Sequence, residues 1–171
     1  MKTTHTLIPG FTMVAAVAVA MAIWSVASVD PVQAAGDPIV VIVNNANPVD
    51  NLSLGELKKL FLGDRSRWDT GKAVAPVMLP PGAPERTSFL KIVCGMSDAD
   101  LGKYFMQAAF TGKSATPPKE VGSAGALKSF VAGSPGAIGF VKASDLSAGD
   151  TTVKAVKIDT AASDPGYKIK M

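Results

Sequence analysis

Three consecutive residues stand where their types and spacing could hold a small anion. They are Arg86, Thr87 and Ser88, in the segment PERTSF (residues 84–89). Pro84 suits the first position of a helix, where its missing N–H costs nothing. Arg86 then falls in the first helical turn, where the helix dipole disfavours a cation by a few tenths of a kcal/mol or more. By i, i+3, i+4, i+7 spacing it also lies on the side of Phe89, Leu90 and Val93. A cation so placed calls for a nearby anion. Thr87 and Ser88 add hydroxyls beside the free N–H groups of the helix start, so guanidinium, hydroxyls and helix terminus together could take an oxyanion. The same placement fits an internal ion pair, with Glu85, Glu56 or an aspartate as partner.

Other chemistry is thin. The one histidine, His5, sits near the N-terminus, and the chain has one cysteine, Cys94. With the N-terminal segment set aside, Ser-His-Asp and Cys-His catalysis and His-ligated metal sites are excluded within this chain, and no intramolecular disulfide can form. Cys94, just past an apolar stripe and without a histidine partner, reads as a small buried hydrophobe. Gly112-Lys113-Ser114 has the look of the end of a phosphate loop, but Gln107 stands where that motif needs its first glycine, and a helix rather than a strand precedes it. A helix C-cap explains Gly112 better. Asp98 and Asp100 belong to a helix start, and Asp64, Arg65 and Arg67 read as a solvated face. The net charge of +3 is dispersed, with no run of Lys and Arg that would suit nucleic acid. No catalytic residue, metal or cofactor is expected, and the chain reads as a non-enzyme.

Several elements must position these residues. Residues 1–34 read as a secretory signal peptide: Lys2, an uncharged Ala- and Val-rich stretch over 11–29, and Val32-Gln33-Ala34 as a cleavage site. An uncleaved membrane anchor is the alternative, since the apolar run approaches the ~18 residues of a span. The exported part divides into a domain over 35–158 and a polar tail over 159–171. Residues 39–43 (IVVIV) form a β-branched run suited to a strand covered on both faces. Ser53 and Glu56 make a capping box for a helix with Leu54, Leu57 and Phe61 on its apolar side. Residues 74–79 read as a strand stopped by Pro80-Pro81-Gly82. The Pro84 helix follows, and Ser97 with Asp100 opens a third helix, which Thr116-Pro117-Pro118 interrupts. A fourth helix carries Leu127, Phe130 and Val131. Residues 137–141 (AIGFV) form a buried strand, and 153–158 a weaker one. Trp68 with Asp69 and Gly71 reads as a turn with a packed indole. This alternation points to an α/β domain with a mixed or mainly parallel sheet flanked by helices.

Residues 54–71 (LGELKKLFLGDRSRWDTG), 74–89 (VAPVMLPPGAPERTSF), 110–119 (FTGKSATPPK) and 134–141 (SPGAIGFV), taken in order, resemble segments of the substrate-binding proteins of phosphate ABC transporters, in particular their small single-domain relatives. The resemblance implies one lobe of a periplasmic-binding-protein fold, where the full-length family has two lobes closing over an oxyanion. It implies an exported, periplasmic protein that binds inorganic phosphate or a similar oxyanion weakly, through Arg86, Thr87 and Ser88 with Ser53 as helix-cap support. An ABC transporter permease or another envelope protein would be the partner. The alternative is a ligand-free interaction or scaffold protein on one lobe, which could homodimerise to rebuild a cleft. The chain departs from the phosphate-binding pattern at residues 83–88, where APERTS replaces a Gly-Ser-Gly-Thr turn, and Glu85 adds a repelling charge.

Overall fold

A computed structural model of the chain describes residues 37–159, except 114 and 148, and residues 168–169. The leader expected over residues 1–34 lies outside the described residues. The elements in order are β1 (Ile39–Asn44), β2 (Asn51–Ser53), α1 (Leu54–Phe61), β3 (Ala75–Met78), α2 (Pro84–Phe89), α3 (Asp98–Phe110), β4 (Lys119–Glu120), α4 (Ala124–Gly133), β5 (Ala137–Lys142), β6 (Val153–Ala155), β7 (Lys157–Asp159) and β8 (Lys168–Ile169). A π-helical turn, Leu90–Cys94, continues α2. Among the described residues no helix is long and apolar enough to cross a membrane.

The main sheet runs β4-β3-β5-β1-β6, with β8 also pairing β1. It is mixed. β3 pairs β4 and β5 in parallel, whereas β1 is antiparallel to β5, β6 and β8. All six residues of β1 are buried. Successive strand residues face opposite sides, so Ile39, Val41 and Val43 enter one core while Val40 and Ile42 enter the other. This is why the strand reads as an unbroken β-branched run.

The larger core lies under α1, α2 and the start of α3, and its centre is aromatic. The rings of Phe89 and Phe140 stack at 4.1 Å, and Phe61 packs against Phe89 at 4.6 Å. The smaller core lies under α4, with Leu127 and Val131 against Val77 and Val141. Gly139 lets α4 approach: a Cβ there would stand 2.6 Å from Leu127 Cδ2 and 3.0 Å from Val77 Cγ1.

Two expected boundaries move. The weak strand over 153–158 divides into β6 and β7, because the Val156 N–H donates to Val41 O and the next residue's to Asp50 O. The chain thereby leaves the main sheet and forms a parallel ribbon with β2. The sheet also extends past residue 158, since β8 pairs with Ile39 and Val40 of β1.

Candidate functional site

The sequence alone placed Ser53 and Arg86 at helix starts, and both starts form as expected. Ser53 is the N-cap of α1 in a complete capping box: its Oγ accepts the Glu56 N–H at 3.2 Å, and Glu56 Oε2 accepts the Ser53 N–H at 2.9 Å. The Ser53 hydroxyl also donates to Glu56 Oε2 at 2.9 Å. The backbone and hydroxyl bonds from Ser53, with the nearby charges of Arg65 and Lys59, hold the Glu56 carboxyl below its ordinary range against the opposing pull of burial. Ser53 therefore serves its own helix.

Arg86 is buried, with 5% of its surface exposed. Its spacing with Phe89, Leu90 and Val93 turns it inward, and it meets acceptors there. Nε donates to Asp98 Oδ1 at 2.5 Å; Nη1 donates to Glu120 Oε1 at 2.6 Å and to Leu79 O at 2.8 Å. One guanidinium thus faces two carboxylates and a carbonyl. Of the two readings of Arg86, this is the internal ion pair with an aspartate, joined by Glu120. Its positive charge is offset within the chain, and an anion reaching it would meet Asp98 and Glu120. The side chain lines a cavity of about 340 Å³ with Asp98, Leu101, Phe105 and Glu120.

Two neighbours of Arg86, Thr87 and Glu85, are also engaged. Thr87 is exposed and its hydroxyl donates back to Ala83 O at 3.2 Å. Ser88 is half-buried. Glu85 pairs with Lys142 across to β5 at 2.8 Å. Burial alone would raise the Glu85 carboxyl, but the Lys142 hydrogen bond, a backbone bond and the Lys142 charge outweigh it and leave the group below its usual range. Arg86 joins an ion cluster, Thr87 makes an intrahelical bond and Ser53 caps the start of a different helix, so these three do not converge.

The remaining candidates also resolve. Gly112 follows α3 at φ +71°, as a helix C-terminus requires. Lys113 reaches back to Asp64 at 2.5 Å and donates to the Tyr104 hydroxyl at 2.9 Å, which pushes its ammonium up to about 12. Asp64 lies on the exposed face, as its sequence suggests, and there it anchors the end of α3. Trp68 is buried and its Nε1–H donates to Gly136 O at 2.9 Å. Cys94 is buried, which pushes its thiol up to about 11 and leaves it without nucleophilic character at neutral pH. Glu120 is the ion-pair partner that sequence reasoning missed. It stands 34 positions from Arg86, and no local signal links the two.

No protein-family model matches the chain. Its fold is similar to solved binding proteins. A structure described as a phosphate ABC transporter substrate-binding protein with bound phosphate, from Clostridium perfringens, aligns with a TM-score of 0.59 at 27% identity, covering 73% of this chain and 46% of that one. An ABC-type phosphate transport receptor from Vibrio cholerae aligns at 0.59 and 23% identity, covering 77% and 49%. A structure described as a phosphate binding protein from Planctomyces limnophilus aligns at 0.58 and 20% identity, covering 75% and 43%. The chain spans about half the length of these structures or less.

Proposed function

We propose that this chain is a non-enzymatic, exported recognition lobe of the substrate-binding-protein type, and that it works by docking to an envelope protein such as a transporter permease rather than by capturing an oxyanion at Arg86. The observation that carries this reading is the enclosure of the Arg86 guanidinium by Asp98 and Glu120. A buried cation matched in this way holds α2, α3 and β4 together. It adds no positive field at the surface, and the second carboxylate opposes an anion. A lone lobe also leaves one side of any ligand in water, where hydrogen bonds to an anion weaken.

Phosphate capture is the second reading. It is favoured by the likeness to a phosphate-bound structure and by the position of Arg86 on the wall of a cavity. Thermal unfolding in a phosphate and sulfate series separates the two. A receptor held at 100 times its Kd would gain about 2.7 kcal/mol by mass action. The docking reading expects no movement of the melting temperature at millimolar phosphate. A saturable rise that Thr87→Val and Arg86→Lys abolish, with the fold retained, would replace it with the phosphate reading.

A further inference from the structure

The opposite end of β3 carries a second concavity. Its origin is legible in the register. Val77 and Met78 pair with Lys119 and Glu120. Continued by two residues, that pairing would set Pro117 and Pro118 beside Ala75 and Pro76. Three of those four positions are proline and lack the N–H a ladder needs. The strand pair therefore stops at Val77 and leaves a notch at the sheet edge of about 300 Å³. Leu60, Val74, Pro76, Pro117 and Phe130 give it an apolar lining; Ser66 and Thr116 bring hydroxyls. Gly63 at φ +76° lets the loop pack closely there, since a Cβ would stand 3.1 Å from Ala115 Cα and 3.2 Å from Thr116 N.

The cations at this notch differ in state. Arg65 is engaged by Glu56 at 3.5 Å and by Asp69, and its Nε donates to Arg67 O. Lys119 is exposed, and among the described residues no carboxylate pairs with it. Its Nζ lies 4.3 Å from the centre of the Phe130 ring, which fixes the ammonium over an aromatic face without neutralising it. An apolar concavity with one unmatched cation and two hydroxyls has the composition of a small-ligand site.

We propose that this notch binds a small monocarboxylate with an apolar body. The carboxylate would pair with Lys119 and accept from Ser66 or Thr116, and the body would lie against Leu60, Pro76 and Pro117. A single uncompensated charge suits a monoanion better than a dianion. The site is separate from Arg86 and does not depend on the lobe's proposed role.

Amide NMR titration of the purified protein with benzoate tests this. Saturable shifts are expected at Ser66, Thr116 and Lys119, with benzyl alcohol at least about tenfold weaker. Lys119→Met keeps the apolar stem on Phe130 and removes the charge; it is expected to weaken benzoate by a similar factor with the melting temperature unchanged. The proposal is overturned if benzoate gives no saturable shift at these amides, if benzyl alcohol or inorganic phosphate matches it, or if Lys119→Met binds as the parent does.

Discussion

The two ends of β3 carry cations of opposite standing. Past Met78, Arg86 is buried and bonded to Asp98, Glu120 and the Leu79 carbonyl. Before Val77, Lys119 is exposed, rests on Phe130 and, among the described residues, has no carboxylate partner. Burial explains the difference. A guanidinium removed from water must find acceptors inside the fold, so it is recruited to structure. A lysine that keeps its head in water pays no such penalty and stays available to a visiting anion. Position at a helix start is therefore a poor guide to anion binding until the depth of the side chain is known.

The largest effect should come from the matched end. Arg86→Met is expected to cost about 2–4 kcal/mol in urea unfolding; the figure sits toward the lower part of what a broken buried pair costs because Asp98 and Glu120 are partly exposed and can rehydrate. A change near zero would erase the contrast between the two ends. The cap at Ser53 offers a middle case, a polar group serving its own helix without deep burial. Ser53→Ala should cost about 1 kcal/mol. Its effect should also depend on pH. Glu56 is held below its ordinary value of 4.5 by bonds from Ser53. That contribution is present above 4.5 and is lost as pH falls through the lowered folded value. The parent's stability should fall more steeply than the variant's below that point, measured by urea midpoints across an acid series. At the unmatched end, Lys119→Met should change stability by no more than about 0.5 kcal/mol. A larger loss would show that Lys119 also serves the fold.

Local features were the legible ones. The capping boxes at Ser53 and Ser97 are written within four residues, and both form. The β-branched run of β1 announced burial on two faces, and Pro84 announced a helix start. The inward face of Arg86 was also visible, in its spacing with Phe89, Leu90 and Val93. Its partners were not, because Asp98 and Glu120 reach it only after α3 and β4 fold back beside β3. Strand direction was hidden for the same reason: side-chain burial marks β1 as central but does not say that its neighbours run the other way. Pro117 and Pro118 were readable as a break in the chain. That the break opens a notch follows only from the register of Val77 with Lys119.

The bare position at Gly139 has a consequence for how this sequence can vary. Because the side chains of Leu127 and, less closely, Val77 occupy the space a methyl group would need, these sites share a steric allowance. Gly139→Ala alone should force the Leu127 side chain to shift and cost stability, read as a lower urea midpoint. Paired with a trimmed residue at 127, most of that cost should be recovered, leaving only the 3.0 Å approach to Val77 Cγ1 to be relieved.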